Sequence, residues 1–138
     1  MNYVWYALLA LGSYTLVAPL TKVATQDLSS DVVATITNGM LVVVALGLVV
    51  YNDESVIDAV TPANAPYLLG AGICLTVGII AYYRALALGP VSVVVPIFGM
   101  FLVTSSVVGI AFLGESLTAR KALGIVLAGV AVYLVTVE

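Results

Sequence analysis

The chain has 138 residues, of which 63% are hydrophobic and only 8% charged, with four basic and seven acidic side chains, no histidine, one cysteine and a formal net charge of −3. Soluble domains carry about 25% charged residues, so a third of that share cannot cover a water-facing globule, and the chain reads as an integral membrane protein. The same inventory excludes a zinc centre, a histidine-based triad and an internal disulfide. Without a basic cluster or a GxxxxGK[ST] or GxGxxG loop, it gives no basis for a nucleic-acid partner, a nucleotide, a metal or another cofactor.

A membrane-crossing helix needs roughly 20 mainly apolar residues, and charges and turn formers cut the sequence into five such spans. The first covers about 4–21 and ends at Lys22. Because Met1 to Tyr6 has no basic region and the apolar run is long enough to span, this segment is expected to be retained and not cleaved as a signal peptide. The second covers 32–51, with Asp31 placed to cap it. Between 52 and 65 lie Asp53, Glu54, Asp58 and Pro62, an extramembrane loop in which Val56, Ile57 and Val60 form either one interfacial helical turn or plain loop. The third span, 66–84, opens on Pro66, a first-turn proline. Gly89-Pro90 turns the chain into the fourth, 91–113, whose 14 Val, Ile, Leu and Phe residues contribute at most about −4 to −8 kcal/mol to insertion. The fifth, 120–137, is short, and begins where the alkyl stems of Arg120 and Lys121 can snorkel. The expected fold is therefore all-α, a bundle of five transmembrane helices without a soluble domain, lodged in the cell membrane.

Five spans put the termini on opposite faces. One face then carries Arg120 and Lys121, the other Lys22 and Arg84. Two bases against two give the positive-inside rule nothing to act on. Either the protein inserts both ways, or the N-terminal amine and cues outside the sequence decide.

Polar side chains at membrane depth face a neighbouring helix or a wet cavity. Tyr6 and Ser13, seven apart, share a face of span 1, with Tyr14 and Thr15 beside them. Span 2 offers Thr35 and Asn38, span 3 Thr76, Tyr82 and Tyr83, and span 4 Ser92 and the run Thr104 to Ser106. A Ser or Thr hydroxyl is most simply bonded to its own helix. The Asn38 amide, with two donors and a carbonyl, calls for interhelical bonding or a place in a cavity. Tyr3, Tyr51, Tyr67 and Tyr83, near span ends, read as an interfacial belt. Pro96, with Gly99 three residues on, removes an amide from span 4 and displaces the Ser92 carbonyl, a kink that reads either as a conformational element of the kind found in transporters or as one of the prolines common in membrane helices. Small residues at Gly70, Cys74 and Gly78, at Ser105 and Gly109, and at Gly124 and Ala128 suit packing within the bundle, with Cys74 expected to be buried. Glu115 reads as a charge balancing the start of span 5. The spans hold no deep carboxylate, which argues against proton exchange for a cationic substrate.

Two stretches carry a resemblance. Tyr82-Tyr83-Arg84-Ala85-Leu86-Ala87-Leu88-Gly89-Pro90-Val91-Ser92, running on to Pro96, and Gly114-Glu115-Ser116-Leu117-Thr118, running through Gly124 to Gly129-Val130, resemble the EamA family of the drug/metabolite transporter superfamily. The first resembles that family's helix 3 to helix 4 junction, the second its Gly-Glu turn and glycine-containing last helix. Family members typically have ten spans in two inverted five-span repeats around a central cavity, so the resemblance implies that this chain is one repeat. It implies pairing with an inverted copy of itself, or with a related half-size protein. The small multidrug-resistance branch is less similar, because its members have four spans and a glutamate in the first, where this chain has Ser13 and Tyr14.

The expected function is a transporter subunit that moves a small polar metabolite, an amino acid or related compound, by alternating access in an antiparallel dimer. Tyr6, Ser13, Tyr14, Asn38, Tyr82 and Ser92 are the expected cavity residues, and Pro96 and Gly99 the conformational ones. Two alternatives stand beside it: half of a flippase for a lipid or lipid-linked sugar, and a non-transporting accessory membrane subunit. An enzyme is disfavoured because no nucleophile adjoins a plausible base.

Overall fold

A computed structural model describes residues 3–114 and 116–136, so the expectation for Glu115 lies outside the described residues. The described residues form six α-helices: α1 (Tyr3–Asp27), α2 (Ser30–Tyr51), α3 (Val56–Ala59), α4 (Ala65–Leu88), α5 (Val91–Phe112) and α6 (Ala119–Thr136). All but α3 are long and apolar enough to cross a membrane. The all-α, five-span architecture is therefore the one the composition demanded. Even α6, with 18 residues, is about 27 Å long against a hydrocarbon core of about 30 Å.

Helix ends follow local chemistry rather than the edge of the apolar stretch. α1 continues through Lys22 to Asp27, because backbone bonding tolerates polar residues that would end a membrane span. At α2 the cap is not Asp31: Ser29 holds an extended conformation and its hydroxyl accepts from the Val32 amide at 3.4 Å. A serine at that position satisfies one of the orphan N–H groups, which leaves Asp31 in the first turn, where its charge suits the helix dipole and its carboxylate can reach another helix. α2 closes with a six-to-one bond from Glu54 N to Val49 O and a five-to-two bond from Asp53 N to Val50 O. This pattern requires a left-handed residue at its centre, here Asp53 with φ 55°. Of the two readings for the loop the helical turn is the one formed: α3 is a single turn, capped by Ser55. Asn64 then staples the loop ahead of α4, accepting from Thr61 N at 2.8 Å and donating to Ala59 O at 2.9 Å. Gly114, with φ 69°, follows α5, and the Thr118 hydroxyl accepts from Lys121 N at the start of α6.

Two compact units result, Met1–Leu88 and Gly89–Glu138. In the first, α1, α2 and α4 pack against one another at one end only. Its buried residues are Ala18 and Thr21 on α1, Val33 and Ala34 on α2, and Tyr83 and Leu86 on α4. Residues 3–16, 39–48 and 66–77 are exposed throughout, a length of about 15 to 20 Å on each helix. The expected burial of Cys74 fails here: it is exposed, as is Gly70, because both lie on the length of α4 that α1 and α2 leave uncovered. In the second unit α5 packs on α6, Gly109 is buried, and a groove of about 340 Å³ runs between Ser106 and Ile110 on one side and Gly124 and Ala128 on the other.

Candidate substrate-facing site

Polar ties between helices of the first unit gather at its packed end. Tyr83 is 5% exposed and packs on Val33 and Ala34, with its hydroxyl 3.0 Å from that of Thr37. Thr37 Oγ1 also lies 2.9 Å from the Val33 carbonyl. Since a hydroxyl has one proton, Thr37 donates to its own helix and accepts from Tyr83. Tyr83 is thus a core residue and not part of an interfacial belt, because its position on α4 turns it toward α2 rather than toward the headgroups. The exposed tyrosines Tyr3, Tyr51 and Tyr67 keep the belt reading. Lys22 reaches from α1 to donate to the Ala87 carbonyl at 3.2 Å, placing a cation on the negative end of the α4 dipole. Arg84 donates through Nε and Nη2 to Asp31 Oδ1, both at 3.3 Å, and through Nη2 to Oδ2 at 3.2 Å. The side chains of this pair are 60% and 63% exposed.

Asp31 and Arg84 also border a groove of about 500 Å³ between α2 and α4. Its walls are apolar, with Leu41, Val42, Leu75, Ile79 and Ile80, and its remaining polar groups are Thr35, Asn38 and Thr76. That size and mixture fall within the range of small-molecule pockets. The threonine hydroxyls donate to their own helices, Thr35 to Asp31 O and Thr76 to Gly72 O. Asn38 does likewise with one amide hydrogen, donating to Ala34 O at 2.8 Å. Its own backbone therefore satisfies one of the two donors. The second hydrogen and the carbonyl oxygen are left over for a ligand or a neighbouring helix.

Of the expected cavity residues, the groove takes in Asn38 alone. Tyr6, Ser13 and Tyr14 stand on the uncovered length of α1. Tyr14, 70% exposed near the midpoint of that helix, has no hydrogen-bond partner among the described residues. Tyr82 is half-buried against the core cluster, its ring centroid 6.2 Å from that of Tyr83. Ser92 is exposed in the first turn of α5, in the other unit. Pro96 sits inside a continuous α5, and a Cβ on Gly99 would meet nothing within 4 Å, so no close approach requires glycine there. Sequence reasoning passed over three features: the Thr37 to Tyr83 bond, the Asp31–Arg84 pair, and Pro19 inside α1. The pair alone had a readable signal, opposite charges at the ends of two helices on the same expected face. Among the described residues no group of three His, Cys, Asp or Glu could hold a metal ion.

Comparison with known proteins agrees with this architecture. The sequence profile of the EamA-like transporter family matches residues 1–137. A protein of Sinorhizobium sp described as an uncharacterized transporter in cobO 3'region is 27% identical over 122 residues, which cover 88% of this chain and 86% of that protein. That relative is accordingly also a short chain. No solved structure matches. The fold, the five membrane-crossing helices and the family match point to a multi-pass membrane transporter and away from an enzyme: the chain belongs to the EamA-like transporter family.

Proposed function

We propose that the chain is one half of a transporter that moves a small polar metabolite, an amino acid or related compound, across the cell membrane by alternating access, completed by an inverted second copy or a related half-size protein. The observation that carries this reading is the uncovered length of α1. Tyr6, Ser13 and Tyr14 lie on it within a helix of membrane-spanning length, and the Tyr14 hydroxyl has no hydrogen-bond partner among the described residues. Polar groups facing hydrocarbon are costly, so Ser13 and Tyr14 call for a wet cavity or a second repeat. An inverted repeat supplies both. The leftover Asn38 donor and acceptor at the adjoining groove add a contact for a polar solute, and Tyr82, Ser92, Pro96 and Gly99 keep their proposed roles in lining and flexing the path.

Uptake into liposomes holding the purified protein tests this directly, with radiolabelled amino acids offered one at a time and counterflow used to exclude leakage. At least one should exchange. Asn38→Ala should weaken its apparent affinity about 2- to 10-fold, the range expected for one lost hydrogen bond. No exchange of any candidate, together with an Asn38→Ala variant that behaves as the parent in a cellular export assay, refutes the cavity. Exchange of amphipathic lipids instead would favour the flippase reading.

A further inference from the structure

Within the first unit, the packed end and the uncovered lengths of the same three helices differ in what holds them. Burial, the Lys22 to Ala87 bond, the Thr37 to Tyr83 bond and the Asp31–Arg84 pair all fall at the packed end. We propose that the Asp31–Arg84 pair is the latch of a gate that closes this end of the substrate path, with Val33, Ala34, Tyr83 and Leu86 as the plug beneath it. The proposal rests on the transporter reading above and assigns the state seen here: closed at the latch.

Three features suit the pair to opening and closing. Both side chains are more than half exposed, so separating them returns each charge to water and strands neither in a dry interior. Exposed pairs are weak, which is what a reversible latch needs. Each partner also sits near a helix end, Asp31 in the first turn of α2 and Arg84 in the last turns of α4. Parting them moves two helix ends and widens the α2–α4 groove, which they border. The contacts beneath are compatible with such movement. Pro19, between the buried Ala18 and Thr21, removes one backbone bond of α1 where the exposed length meets the packed end.

The test needs no substrate. In a Cys74→Ala background, Val33→Cys places a thiol at a position 3% exposed beneath the latch. The protein is reconstituted in nanodiscs, where both membrane faces meet a charged methanethiosulfonate reagent, and the labelling rate is measured. Arg84→Gln should raise the rate about two- to fivefold, the limit set by the strength of an exposed pair. Arg84→Lys, which keeps the charge but not the two-pronged contact, should give a rate between the two. Asp31→Asn should match Arg84→Gln, and combining both should add nothing further. Equal labelling in the parent and in either neutral variant overturns the latch, as does additivity of the two. Because the readout is accessibility, such a result leaves the transport reading to the liposome assay, and a failure there does not decide the latch.

Discussion

Tyr83 is the residue on which the packing of α2 against α4 turns. Its ring fills the contact with Val33 and Ala34, and its hydroxyl gives Thr37 a second partner beyond that residue's own helix. Removing the hydroxyl alone by Tyr83→Phe should cost about 0.6 kcal/mol, the average for a hydrogen bond between membrane helices. Tyr83→Ala removes the ring as well and should cost about 3 to 5 kcal/mol. Thermal unfolding in detergent should show a small fall in midpoint for the first and a large one for the second. A phenylalanine variant that falls as far as the alanine variant would show that the bond, and not the ring, holds the helices. Tyrosine near an apolar span end suggests a headgroup anchor, and the sequence held nothing to distinguish Tyr83 from Tyr51 or Tyr67. Facing a threonine on another helix is a tertiary fact. Cys74 failed for the converse reason: a small residue in a small-residue stripe marks a surface that can be approached closely, but not whether this chain is what approaches it.

Helices were legible because both their length and their apolarity are set by the bilayer, so charges and turn formers sufficed to count five crossings. Their ends were less so, since a helix may outrun its apolar stretch, as α1 does by running to Asp27. That extension changes the meaning of Pro19. A proline close to an expected helix end disturbs little, but with eight further residues of helix it lies inside α1, and the Thr15 carbonyl has no amide four residues on to bond. Thr15 itself turns its hydroxyl to Leu11 O and cannot answer its own carbonyl's need. Pro19→Ala supplies the missing donor. It should slow hydrogen exchange at the amides of residues 16–22 by about tenfold or more, since a proline inside a helix costs about 3 kcal/mol. If α1 flexes there during transport, exchange in liposomes should slow in the same variant while the protein remains folded. Unchanged amide protection would show that a neighbouring group already satisfies the Thr15 carbonyl.

For the molecule as a whole, the decisive quantity is how its four bases divide between the faces of the membrane. By span parity, Lys22 and Arg84 fall on one face and Arg120 and Lys121 on the other. Such a balance is easily tipped, because orientation follows Lys and Arg in short loops and acids count for little. The α2–α4 connection is short and carries Asp53, Glu54 and Asp58 but no base. Glu54→Lys with Asp58→Lys therefore sets four bases against two without touching the packed end of the first unit. If the working form is an antiparallel homodimer, pairs are limited by the rarer orientation. Driving that fraction from about a half to about a tenth by added charge should lower transport about fivefold. Co-expression with a variant biased the opposite way, Thr25→Lys with Gln26→Lys, should restore it. Reporters active only inside or only outside, fused at the C-terminus, give the fractions independently. Transport that follows the minority fraction identifies the partner as an inverted copy of the same chain. Transport unaffected while the reporters shift, or reporters that signal from one side in the parent, would instead require a different protein to supply the second repeat.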